Sequence, residues 1–224
     1  MKKAHNRRSG LNVLFGPKFT KWKFKSNQLY YVTPYIPRLQ MCKQAGQIYQ
    51  GRLRKPNIIL WDMFGGIGTD SIALSQYFNI ITTEINPEVF NLLSQNVKSH
   101  GISNVQILRL NCLLLLNTVK PDIIYFDPPW GPNFSPHTDF DFREVMIDFL
   151  PKVENLNLPL LKIYMKVSST DVLTYILNNI TNNVIVKSPL NSNTFEQLFG
   201  SYVHHIYQYP RKNLKFLYLV GPDQ

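Results

Sequence analysis

The feature that most narrows the fold is a short apolar run that enters a glycine cluster. Asn57 to Trp61 (Asn-Ile-Ile-Leu-Trp) leads directly into Asp62-Met63-Phe64-Gly65-Gly66-Ile67-Gly68. An uninterrupted apolar run of this length is too brief for a helix and reads as a buried strand. From Thr69 to Phe78 the apolar residues fall at Ile72, Ala73, Tyr77 and Phe78, a helical spacing. Strand, glycine turn and helix in that order open a βαβ unit, and a series of such units requires a mostly parallel sheet covered on both faces.

The series continues downstream. Ile80 to Thr83 reads as a second strand; Asn86 is placed to cap a helix with Pro87 in its first turn, and Gly101 stops it. Val105 to Leu110, Asp122 to Phe126, Leu160 to Val167, Val203 to Tyr209 and Leu214 to Val220 supply further strands, with a helix over about Ser169 to Ile180. Pro210 to Asn213 reads as the turn of a final antiparallel hairpin. The chain shows no internal repeat.

Charge divides the chain in the same place. Its net +10 is concentrated in Met1 to Trp61, which holds 13 Lys and Arg and no acid; from Asp62 onward there are 11 basic and 14 acidic residues. Lys and Arg displace counterions from a nucleic-acid backbone, so the front segment reads as a phosphate-binding arm. Phe19, Trp22, Phe24, Tyr30, Tyr31 and Tyr35 interleave with the charges, a composition that disordered tails lack. The expected organisation is a basic tail over 1–17, an extension covering the site over 18–55, and a catalytic body over 56–224. No run reaches the roughly 18 to 20 apolar residues of a membrane span, and two cysteines make neither a disulfide framework nor a zinc site. A reducing, intracellular setting without a metal is expected.

Glycines in the 62–68 loop let the backbone turn sharply and approach a ligand. Glu84 ends the second strand about 20 residues later, where a carboxylate can accept both ribose hydroxyls of a nucleoside. Asp62 at the end of the first strand would repel a pyrophosphate, whereas the ammonium and sulfonium of S-adenosylmethionine would favour it. No Gly-Lys-Ser or Gly-Lys-Thr occurs, so a P-loop is excluded.

A second constellation follows the strand Asp122 to Phe126: Asp127-Pro128-Pro129-Trp130-Gly131-Pro132. Ligands of such folds bind beyond the carboxyl ends of the strands. Consecutive prolines present carbonyls without competing amide donors on a stiff backbone. The Asp127 carboxylate and Pro128 carbonyl suit an exocyclic amine, and Trp130 offers a flat face for a nucleobase. The combination points to methylation of an amino group.

Several short elements together resemble the trimethylguanosine synthase family. Tyr31-Val32-Thr33-Pro34 is similar to its aromatic-Val-Thr-Pro element, Asp62 to Gly68 to its Asp-x-Phe-x-Gly-x-Gly loop, and Glu84-Ile85-Asn86-Pro87 to its acid-Ile-Asp-Pro turn. Pro128-Pro129-Trp130-Gly131 matches its Pro-Pro-Trp-Gly, and Phe140-Asp141-Phe142-Arg143 resembles its Phe-Asp-x-Arg. The resemblance implies a Rossmann-like class I methyltransferase with a mostly parallel seven-stranded sheet and a C-terminal antiparallel hairpin. It implies S-adenosylmethionine as cofactor and the N2 amine of the 7-methylguanosine cap of RNA as acceptor. Thr33, Pro34, Asp62, Phe64, Gly65, Gly66, Gly68, Glu84, Ile85, Asn111 and Asp127 would hold the cofactor. Asp127, Pro128 and Trp130 would position the acceptor, and Asn133, Lys18, Lys21, Lys23, Arg143 and Lys166 would contact the capped RNA.

Two other readings stay open at this point. Asp127 stands where that family often has serine, which leans toward adenine-N6 or cytosine-N4 methylation on RNA or DNA. An inactive RNA-binding scaffold is the non-enzymatic reading. His204 and His205, adjacent in a strand, face opposite sides and are ordinary strand residues. His137 is a loop residue close to Trp130, and Cys112 a core thiol.

Overall fold

The computed structural model describes residues 10–130, 134–135, 138–148 and 166–221. They fall into two compact units, residues 1–109 and 110–224.

In the first unit, β1 (Ile59–Asp62), β2 (Asn79–Thr83) and β3 (Val105–Leu108) are parallel, in the order β3-β2-β1. Helix α1 (Tyr35–Ala45) runs on through the wider turns of 46–53 and ends at Arg54, whose φ of 47° is left-handed. It buries Met41, Cys42 and Ala45, and Tyr49 follows in the next turn. The sequence reading contained no helix here: the polar residues Gln40, Lys43, Gln44 and Gln47 obscure its single apolar stripe. Helix α2 (Thr69–Leu74) is shorter than the span to Phe78 that its pattern suggested, because residues 75–78 close as turns. Helix α3 (Pro87–His100) forms as expected: the Asn86 side chain accepts from the Glu88 and Val89 amides, and Gly101 takes φ 68° at its end.

Order in the front segment begins before Lys18. Residues 10–15 are helical, and Phe15, only 2% exposed, stacks on Trp22 and Phe24 at 5.5 and 4.9 Å. Trp22 packs on His100 at 4.4 Å, and Asn96 clamps the backbone of Lys23, accepting from its amide at 2.7 Å and donating to its carbonyl at 3.0 Å. Burying rings such as Phe15 and Trp22 stabilises by about 1.5–3 kcal/mol each, enough to hold a segment whose charges point outward. Lys18, Lys21, Lys23 and Lys25 are exposed around the buried Trp22.

In the second unit, β4 (Ile123–Phe126) is fully buried and pairs in parallel with β7 (Asn183–Pro189), Phe126 opposite Val186. Strand β9 (Leu214–Val220) runs antiparallel to β7 and also to β8 (Val203–Tyr209), so the order is β4-β7-β9-β8. The hairpin turn at Pro210–Lys212 closes through Asn213 at φ 46°, as the sequence suggested. Helix α4 (Ser169–Asn179) starts at a Ser168 cap that accepts from the Asp171 amide, and α5 (Thr194–Phe199) lies between β7 and β8. A two-stranded antiparallel ribbon joins β5 (Met146–Asp148) and β6 (Lys166–Ser168).

Across both units the expected fold class holds, a mostly parallel seven-stranded sheet with an antiparallel hairpin at its end. One strand is different. Of the strand expected at Leu160 to Val167, residues 160–165 lie outside the described residues and Lys166–Ser168 belongs to the separate ribbon. The place beside β4 is taken by β7, which the sequence reading did not contain. Among the described residues no helix is long and apolar enough to cross a membrane.

Candidate active site

In the first unit, β1 delivers the chain into the loop at Asp62. Its carboxylate is buried: Oδ2 accepts from Ser71 Oγ in α2 at 2.5 Å and Oδ1 from the Phe64 amide at 3.2 Å. Gly65 and Gly68 have no room for a side chain. A Cβ on Gly65 would strike Thr82 Oγ1, and one on Gly68, at φ 89°, would strike Leu93. Gly66 differs, since at φ 53° its missing Cβ would face open space. The turn is thus packed from behind and open at one glycine.

Glu84 stands opposite that opening. Its carboxylate accepts from the Gly66 amide at 3.1 Å and the Asn86 amide at 2.7 Å, so the acid is tied to the loop and to the start of α3 together. Burial pushes its carboxyl above the ordinary value of 4.5, against the lowering effect of the Asn86, Gly66 and Ile85 amides. Ile85 beside it is an exposed apolar side chain, 43% accessible. An anchored acceptor-only carboxylate, an open glycine and an apolar surface next to them fit the ribose and adenine of S-adenosylmethionine.

Thr33 and Pro34 have structural duties in this unit. Thr33 is fully buried and donates to Asp70 Oδ2 at 2.7 Å, while its carbonyl accepts from Arg38 at 2.9 Å. Pro34 precedes the first turn of α1. Arg38 lies 5.7 Å from the Trp22 ring and 5.8 Å from the Tyr35 ring. These contacts fasten the front segment to α2, the element that follows the loop.

In the second unit, β4 ends at Asp127-Pro128-Pro129-Trp130. Trp130 begins a chain of rings: Phe134 at 4.9 Å, then Phe140, Phe142 and Phe195, with successive centroids 5.4, 5.0 and 4.3 Å apart. The Phe140-Asp141-Phe142-Arg143 element is therefore largely the support behind Trp130. The indole N–H of Trp130 is buried without an acceptor among the described residues.

The structure adds one group that sequence reasoning missed. Lys187 on β7 is only 5% exposed, and its Nζ lies 2.7 Å from Asp127 Oδ2 and 5.7 Å from the Trp130 ring centre. It sits one residue beyond the Phe126–Val186 register pair, as Asp127 does. The available signal was the apolar stretch Val184-Ile185-Val186 ahead of a lysine and a proline, read only once the pairing is known.

Three of the expected contact residues have partners within the second unit. The Arg143 guanidinium, 61% exposed, pairs with Asp141 at 2.6 Å, and Asp141 is held below the usual carboxylate range chiefly by that hydrogen bond. Lys166 faces Asp148 at 3.8 Å across the β5–β6 ribbon. Asn111 accepts from the Leu113 amide and donates to the Asp148 carbonyl at 2.6 Å, capping the turn that holds the buried Cys112. Asn133 and His137 lie outside the described residues. His204 and His205 are both exposed on the edge strand β8, where the register shifts between Val203 and His205, and no metal-binding cluster occurs among the described residues.

The fold is that of class I S-adenosylmethionine-dependent methyltransferases. The solved N-terminal domain of human METTL16 in complex with SAH superposes with a TM-score of 0.61 at 11% identity, over 98% of this chain and 84% of that one. The family model for RNA cap guanine-N2 methyltransferases matches residues 57–214, and the chain belongs to that family. Trimethylguanosine synthase of Schizosaccharomyces pombe is 25% identical over 124 residues, 52% of this chain and 49% of that protein. Ribosomal RNA small subunit methyltransferase D of Buchnera aphidicola is 42% identical over 74 residues, 31% of this chain and 39% of that protein. The matched segments span 22% to 49% of the lengths of the curated relatives.

Proposed function

We propose that this protein transfers a methyl group from S-adenosylmethionine to the N2 amine of a 7-methylguanosine cap on RNA. The observation that carries the reading is the Asp127-Pro128-Pro129-Trp130 turn at the end of β4, with Trp130 braced by Phe134 and Phe140, in a chain of the cap guanine-N2 family.

When bound, the cofactor supplies a methyl group on a sulfonium, already activated for in-line displacement, so the protein's share is orientation. Glu84 accepts the ribose hydroxyls beside the open Gly66, and Ile85 covers the adenine. The braced indole of Trp130 takes the base, and because 7-methylguanine carries delocalised positive charge, the ring gains cation-π attraction beyond ordinary stacking. The Asp127 carboxylate and Pro128 carbonyl accept the two N–H bonds of the exocyclic amine and turn its lone pair outward. The amine becomes acidic only once methylated, and its proton leaves to Asp127 or to water. Lys18, Lys21 and Lys23, exposed on the docked front segment, attract the cap phosphates. Lys25 is already paired with Glu88 at 2.6 Å and contributes less. An acceptor oxygen from the substrate would also satisfy the Trp130 N–H, an orphan donor costing about 1–3 kcal/mol.

The test uses labelled cofactor with a dinucleotide cap in 7-methylated and unmethylated form. Transfer is expected to the 7-methylated cap at least about tenfold faster, from the cation-π contribution. Equal rates on the two would count against the 7-methylguanosine reading, and transfer only to uncapped RNA would move the protein to the adenine or cytosine amino-methyltransferases.

A further inference from the structure

We infer that Lys187 is a specificity-determining residue that sets how strongly the acceptor site distinguishes a positively charged base from a neutral one. The inference rests on Trp130 being the base platform.

A lysine buried to 5% exposure is uncommon, because its charge must be compensated away from water. Here the compensation is Asp127, with Nζ 2.7 Å from Oδ2 and the two side chains 6% and 17% exposed. The same ammonium is within cation-π distance of Trp130, 5.7 Å from the ring centre. One lysine therefore touches both groups to which the acceptor is assigned.

Two consequences follow for an incoming base. The negative charge of Asp127, which by itself would attract a cationic base, is largely offset by a positive charge in direct contact. The electron-rich indole, which would attract the same base, already has a cation. If the base takes the face that Lys187 occupies, the two positive charges repel; if it takes the other face, the ammonium has drawn ring electrons away from it. Both effects act in one direction and reduce the advantage of a positive base without abolishing stacking, which a neutral base also enjoys. Lys187 thus tempers the preference for 7-methylguanine and holds the Asp127 carboxylate in place.

The test is binding, so it does not depend on turnover. Affinities for 7-methylguanosine triphosphate and guanosine triphosphate, measured with S-adenosylhomocysteine present, give a cation-to-neutral ratio for each variant. Lys187→Met should raise that ratio roughly tenfold, and Asp127→Asn, which removes the carboxylate's negative charge beside the lysine, should lower it. Lys187→Arg keeps the charge and should stay near the wild-type ratio. Thermal unfolding followed by circular dichroism reports folding of each variant; should Lys187→Met fail to fold, the downward shift in Asp127→Asn still decides. A ratio unchanged in Lys187→Met with the fold intact, or shifts of the same sign in Lys187→Met and Asp127→Asn, would overturn the inference. If wild-type protein binds neither guanine nucleotide, the cap reading fails on its own account. The same series with 1-methyladenosine, a cationic base, against adenosine then tests Lys187 by the same signs.

Discussion

Trp130→Ala is expected to lower cap methylation by about 100-fold or more while leaving affinity for S-adenosylhomocysteine within about twofold. Stacking of a base on an aromatic side chain contributes about 1–3 kcal/mol, and a cation-π increment adds about 0.5–2 kcal/mol, so the sum of about 1.5–5 kcal/mol is centred near two orders of magnitude. Both KM for the cap and kcat should suffer, because a base without its platform also loses its aim at the methyl group. The ring chain behind Trp130 makes Trp130→Phe the informative companion. It keeps a stacking face next to Phe134 at the loss of the larger indole and should recover most of the activity. Undiminished methylation in the alanine variant would remove the base platform from the account.

Glu84→Ala carries the second large effect, on the cofactor rather than the cap. A carboxylate that accepts two ribose hydroxyls makes charge-assisted bonds of about 1.5–3 kcal/mol each, so cofactor affinity should fall about 100-fold or more, read by calorimetry. The pH dependence has a defined sign. Burial raises the Glu84 carboxyl above 4.5 in the folded protein, so its ionisation is disfavoured there. For the ligand-free fold, the contribution is favourable below the ordinary glutamate value and is lost as pH rises through the raised one. Binding of hydroxyls to the carboxylate runs the other way: affinity is full at neutrality and declines as pH falls through the raised value. That decline should begin at a higher pH than an exposed glutamate would give. Glu84→Gln should flatten it and lose less affinity than the alanine variant. A pH-independent wild type, or an alanine variant that binds the cofactor normally, would contradict the role given to Glu84.

The parts of the molecule that were legible in the chain are those written in local chemistry. Asn86, Pro87 and Gly101 delimit α3 because capping, a fixed φ and a left-handed end each demand a particular residue. Gly66 and Gly68 take φ of 53° and 89°, a backbone that favours glycine, so the loop after β1 could be read from its own residues. Pro210 to Asn213 announced the last hairpin for the same reason.

What was illegible depends on partners distant in sequence. Lys187 looks like the end of a surface run until β7 is paired with β4, and only that register sets its ammonium beside Asp127. Lys166 invited a contact with RNA, yet it faces Asp148 across the β5–β6 ribbon. Thr33 matched a motif whose family role is cofactor contact, and its hydroxyl is engaged with Asp70. Phe15 was counted with the tail because the charges around it dominate composition, whereas its ring finds Trp22 and Phe24. In each case a charge or a motif was visible and its partner was not.

The central claim is the identity of the methylated atom, and nucleoside analysis of the product measures it directly. A 7-methylguanosine-capped RNA is incubated with the protein and labelled cofactor, digested to nucleosides and separated. The account predicts that the label runs with N2,7-dimethylguanosine or N2,N2,7-trimethylguanosine. Label in N6-methyladenosine or N4-methylcytidine, with none in the cap nucleoside, would contradict it.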